Sequence, residues 1–126
     1  MKNNPDKLAH INRTPATVYV MKISGNKGLR IGIHSTSNRT RENQVSNSLG
    51  LKTKIVWSKE VQSKAHALAA EALAHLYLCE YERRRKIGNK KIQIFYCSPE
   101  HAREAYANAC RTINKSYSQT PVGLNT

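Results

Sequence analysis

The first ordered hydrophobic pattern is Thr17-Val18-Tyr19-Val20-Met21-Lys22-Ile23, a β-branched and aromatic run that predicts a strand. Ser24-Gly25-Asn26-Lys27-Gly28 is a turn cluster, and Leu29-Arg30-Ile31-Gly32-Ile33 alternates apolar with other residues. The two runs predict an antiparallel hairpin. A short helix is expected from Arg39 or Thr40 to Leu49, with Ser37 or Asn38 near its N-cap. Val45 and Leu49 share one face of it, and Gly50 stands where a helix end favours glycine. Lys54 to Val61 reads as a third strand. Ser63 can cap a long helix whose apolar stripe is Ala65, Leu68, Ala69, Ala72, Leu73 and Leu76. This helix is expected to carry the basic run Arg83-Arg84-Arg85-Lys86 at its end and to stop at Gly88-Asn89. Ile92-Gln93-Ile94-Phe95 is a short extended piece. Ser98 and Pro99 then open a last helix as N-cap and first residue, with Ala102, Ala105, Tyr106, Ala109 and Ile113 on its inner face.

The order is therefore β-β-α-β-α-(β)-α, an α/β (α+β) chain with a small antiparallel three-stranded sheet flanked by helices. At 126 residues it is one domain. Residues 1–16, polar with Pro5 and Pro15, read as a flexible arm, 17–114 as the folded domain and 115–126 as a loose tail.

Charge narrows the partners. Lys and Arg number 21 against 8 Asp and Glu, a formal net charge of +13. So large an excess on so small a body attracts polyanions, DNA or RNA above all, because neutralised phosphates release counterions. An anionic membrane surface fits less well, since the cations do not follow one amphipathic helix. No apolar run approaches the roughly 18 residues of a membrane span. The first residues carry no apolar signal region, which leads to the expectation of a cytoplasmic protein. Cys79, Cys97 and Cys110 form no CxxC pair or zinc-like spacing and read as small apolar residues of a reduced protein. No nucleotide or other small-molecule cofactor motif is present, and the Gly25/Gly28 pair is a turn, with no helix directly after it to cradle phosphate. His66 and His101 read as surface or boundary residues.

The order and spacing of several short motifs resemble one family. Thr17-Val18-Tyr19-Val20-Met21 is similar to the first signature of the GIY-YIG nuclease superfamily, and Leu29-Arg30-Ile31-Gly32-Ile33-His34 to the second. The closer likeness is to a phage- and prophage-rich branch whose second signature is basic-Ile-Gly. In that branch an arginine follows the glycine by about nine positions, with an apolar residue four later, as Arg41 and Val45 do here. A Glu and a His four apart on the long helix, Glu71 and His75, continue the match. An aromatic strand before the last helix, Ile92 to Tyr96, completes it.

The resemblance implies a GIY-YIG-like fold and an endonuclease that hydrolyses phosphodiesters with one divalent metal, Mg2+ or Mn2+. It implies Glu71 as the metal ligand, a role that suits a hard cation keeping most of its water. It implies Arg41 as the clamp on the scissile phosphate, where a planar guanidinium gives paired hydrogen bonds and permanent charge. Tyr19 would orient or deprotonate the attacking water. His75, one helical turn from Glu71, and His34, next to the second strand, are further candidate catalytic residues. Arg30, Arg39, Arg83, Arg84, Arg85 and Lys86 are candidate nucleic-acid contacts. Two positions depart from the pattern: Arg30 stands where the second tyrosine would be, and Gln93 replaces an acidic residue of the last strand. Two other readings are a catalytically inactive nucleic-acid-binding protein on the same fold, and a basic RNA- or ribosome-associated protein. Oligomerisation is left open. So little surface for reading bases leads to the expectation of weak sequence preference.

Overall fold

A computed structural model describes residues 14–25 and 28–119. Residues 1–13 of the expected arm and 120–126 of the expected tail lie outside the described residues, as do Asn26 and Lys27 of the first turn. The elements are β1 (Ala16–Ile23), β2 (Leu29–His34), α1 (Asn38–Leu49), β3 (Thr53–Val61), α2 (Lys64–Tyr77), a 3-10 turn (Cys79–Tyr81), β4 (Glu82–Ile87), β5 (Lys90–Phe95) and α3 (Pro99–Gln119). Residues 115–119, read as tail in the sequence, continue α3.

Capping chemistry fixes the helix starts. Ser37, Ser63 and Ser98 each accept a backbone N–H of the first turn through their hydroxyl, from Thr40, His66 and His101 respectively. Gly50 ends α1 in the left-handed conformation, with φ 69° and its N–H bonded to the Ser46 carbonyl.

The sheet has five strands, not three, in the order β3-β1-β2-β5-β4, all neighbours antiparallel. The difference comes from Arg83 to Lys86. Helix α2 stops at Tyr77, and after the 3-10 turn the basic run extends as β4. Gly88-Asn89 is the two-residue loop of a hairpin, with Gly88 at φ 61° between the paired residues Ile87 and Lys90. In a strand, successive cations point to opposite faces, which separates neighbouring charges in the basic run.

Two cores sandwich the sheet. On one face α2 and α3 cover Val18, Val20, Leu29, Ile31 and Phe95. On the other, Val45 and Leu49 of α1 lie over Tyr19, Met21, Ile23 and Ile94. The inner face of α2 differs from the expected stripe. Ala67, Ala70 and Ala74 are fully buried, whereas Leu68 is 44% and Leu76 67% exposed. The alanine face lets the helix axis approach the sheet closely; Leu68 and Leu76 turn outward, while Leu73 packs against the core as expected. His66 is buried, not superficial, and Cys79 is exposed while Cys110 is buried. The expected inner face of α3 is observed: Ala102, Ala105, Tyr106 and Ala109 are buried. Among the described residues no helix is long and apolar enough to cross a membrane.

Tyr106 ties α3 to the sheet. Its fully buried hydroxyl donates to the Gly32 carbonyl at 2.9 Å, and burial pushes the phenol far above its ordinary pKa, so it stays a donor. Tyr106→Phe keeps the ring and loses that bond, and should cost about 1–2 kcal/mol. Urea denaturation reads the loss. An unchanged midpoint would mean the hydroxyl adds nothing to stability.

Candidate active site

Strand β1 presents Tyr19 on the α1 face, directly opposite Gly32 of β2. A Cβ built on Gly32 would lie 2.5 Å from the Tyr19 hydroxyl oxygen and 2.7 Å from the ring carbon bearing it. Glycine is therefore what lets the tyrosine ring lie across β2. Tyr19 is fully buried, and its hydroxyl accepts a hydrogen bond from Arg41 Nε at 3.0 Å. Arg41 stands in the first turn of α1, its N–H bonded to the carbonyl of the Ser37 cap. A second guanidinium nitrogen, Nη1, donates to Gln44 Oε1 at 3.3 Å. Arg39, two residues earlier, lies on the exposed side of the helix.

His34 backs the tyrosine, with ring centroids 5.8 Å apart and planes 27° from parallel. Its Nδ1 accepts the Thr36 N–H at 3.3 Å, so Nε2 bears the proton and donates to Asn38 Oδ1 at 2.7 Å. The Asn38 amide in turn donates to Ser58 Oγ at 3.0 Å. Both ring nitrogens are committed, which makes His34 a support for Tyr19.

The second half of the site comes from the other face of the sheet. Strands β2 and β5 are joined at Leu29 and Phe95. Past that rung they part, leaving a cleft of about 330 Å³ lined by Arg30 and Ile31 of β2, Lys91, Ile92 and Gln93 of β5, and Glu71 and His75 of α2. Glu71 is partly buried, and desolvation raises its carboxyl pKa. The guanidinium charges of Arg30 and Arg41 oppose that rise. Burial likewise lowers the His75 pKa, with the Glu82 carboxylate pulling the other way, so the imidazole is neutral near pH 7. Its ring meets Phe95 edge-on at 5.2 Å.

Arg30, Glu71 and His75 thus line one cleft, and Arg41 and Tyr19 form a hydrogen-bonded pair, with His34 behind the tyrosine. Arg83 to Lys86 lie on β4 and Arg39 stands apart. Sequence reasoning missed Asn38, Ser58, Tyr106 and Lys91. Of these, only Lys91 left a readable trace, since it alternates with Gln93 and Phe95 and so shares their face.

Among the described residues no three His, Cys, Asp or Glu side chains stand together as a metal-binding group. A lone carboxylate edging a cleft of this size fits a hard, largely hydrated cation such as magnesium. It does not fit zinc, which takes three or four protein ligands.

No curated protein and no solved structure matches the chain significantly. One family model does, the T5orf172 domain, over residues 16–110. That span takes in all five strands and every element that lines the cleft, and the chain belongs to the T5orf172 domain family.

Proposed function

We propose that the protein is a divalent-metal-dependent endonuclease of the GIY-YIG type that hydrolyses DNA phosphodiesters in the cleft between β2 and β5. One observation carries the reading: the Glu71 carboxylate lies at a cleft within the fields of Arg30 and Arg41, and Arg41 is bonded to Tyr19. Membership of the T5orf172 domain family, with its phage and endonuclease associations, supports it.

Arg30 and Lys91 outnumber Glu71 in the cleft lining, and the Arg41 charge adds to their field at Glu71, so a phosphate is drawn in. Arg41 meets it with the guanidinium edge that Tyr19 leaves free, and neutralises charge that grows in the transition state. Tyr19 has no exposed surface, so its part is to aim Arg41. Proton removal from the attacking water falls to the neutral His75 imidazole at the cleft wall. A divalent cation held by Glu71 would supply Lewis-acid stabilisation of the phosphate and the departing oxygen.

Supercoiled plasmid incubated with Mg2+ or Mn2+ tests the proposal. The wild type should nick, EDTA should stop it, and Arg41→Lys should nick at least about 100-fold more slowly. A lysine ammonium cannot reach the phenol and grip phosphate with a planar fork at once. A wild type that binds plasmid and never nicks it with either metal would sink the proposal and favour a binding module.

A further inference from the structure

We infer that one face of the β4–β5 hairpin, formed by Arg84, Lys86 and Lys91 with Gln93, is a phosphate-binding ramp. It would grip the nucleic-acid backbone flanking the bond held in the cleft, and in that respect it rests on the nuclease reading.

Register sorts the cations of the hairpin into two sets. Arg84 pairs with Gln93 and Lys86 with Lys91, so these four share a face with the pair Glu82 and Phe95. That face is turned toward α2: Phe95 packs in the core beneath α2 and meets His75, and Lys91 and Gln93 line the cleft beside Glu71. The opposite face carries Arg83, Arg85, Ile87, Lys90, Ile92 and Ile94. Its cations are engaged within the protein. Lys90 Nζ donates to Ser48 Oγ at 2.5 Å, Arg83 Nη1 to the Glu82 carbonyl at 2.7 Å, and Arg85 to the Tyr96 hydroxyl.

Arg84, Lys86 and Lys91 are all exposed. The acid on their face, Glu82, stands at the root of the hairpin beside His75, not among them. Lys86 and Lys91 are direct cross-strand partners, an arrangement that repels and weakens a hairpin. An anion between the two ammonium groups turns that repulsion into attraction. Side chains two apart on one strand are about 6.8 Å apart, close to the spacing of successive phosphates along a nucleic-acid strand. Gln93 to Lys91 on one strand and Arg84 to Lys86 on the other each make that step.

Binding of a fluorescent DNA duplex to the wild-type chain in EDTA, where no cleavage occurs, tests the ramp. Affinity is followed from about 50 to 200 mM KCl. Lys86→Gln/Lys91→Gln should reduce the slope of log K against log salt by about 1–2, since each phosphate contact contributes about 0.9. Arg103→Gln/Arg111→Gln removes the same charge from exposed positions of α3 and should leave the slope unchanged. Without DNA, the Lys86/Lys91 variant should melt at or above the wild type at low salt, showing that the weaker slope is not unfolding. An unchanged slope in that variant, or an equal fall in the Arg103/Arg111 control, would overturn the ramp. If the slope changes as expected and the wild type never nicks plasmid, the ramp stands and the nuclease reading falls.

Discussion

Glu71→Gln should abolish plasmid nicking, by about a thousand-fold or more, while making the protein more resistant to heat. The rate loss follows if the carboxylate anchors a cation whose contribution to the transition state is several kcal/mol. The gain in stability follows from the raised pKa. Folding moves the Glu71 carboxyl upward from its ordinary value of 4.5 because burial costs the anion more than Arg30 and Arg41 return. The folded chain therefore holds that proton more tightly than the unfolded chain does. The stabilisation this gives is present in full below the ordinary value and is lost as pH rises through the raised one. At neutral pH the wild type carries a partly buried charge that glutamine does not have. The melting temperature of the variant should exceed that of the wild type at pH 7, and the two should converge as pH falls below 4.5. Nicking by the wild type should increase as pH rises through the same raised value. Scanning calorimetry and plasmid assays across pH read both. A variant that melts lower than the wild type at pH 7 would contradict the burial argument.

Gly32→Ala should destabilise the fold by about 2–3 kcal/mol, a large value for one methyl group. The new carbon would sit 2.5 Å from the Tyr19 hydroxyl oxygen, and Tyr19 is fully buried between β2 and α1. Either the ring or the strand must shift, and Arg41 shifts with the ring because it is bonded to it. Nicking should fall together with stability. Adding Tyr19→Val to Gly32→Ala frees the space, and should recover much of the stability and none of the nicking. Urea denaturation beside the plasmid assay separates the two effects. Recovery of nicking in the double variant would show that the tyrosine does not aim Arg41.

The order of strands and helices was legible wherever local chemistry decided it. Serine caps, the glycine after Leu49 and the Ser98-Pro99 start each mark a helix end through a backbone bond that the sequence alone implies. Strands β1 to β3 were legible from β-branched and alternating residues. The β4–β5 hairpin was not, because its outer strand is made of arginine and lysine, which carry no hydrophobic period. The readable mark was the Gly-Asn loop, a hairpin signal that equally resembles a helix end. The rotation of α2 was hidden for a different reason. Alanine and leucine alternate so densely over residues 65–76 that several faces look apolar, and only packing against the sheet and α3 selects the alanine one. At the site, the resemblance to GIY-YIG nucleases singled out Tyr19, Arg41, Glu71 and His75. The His34–Asn38–Ser58 chain and the reach of Tyr106 to Gly32 join residues on separate elements, and no local pattern encodes them.

The lone rung between Leu29 and Phe95 has a bearing on how such a protein can be altered. On the proposed reading, the ramp cations and the Tyr19–Arg41 pair reside on strands joined by little backbone bonding. The exposed positions of the outer ribbon can therefore be recharged without shifting the alignment of the three strands behind Tyr19. For a designer its exposed cations are a handle: on the proposed reading, recharging Arg84 and Lys86 changes how firmly a polymer is held and leaves Ile87, Ile94 and Phe95 in the two cores.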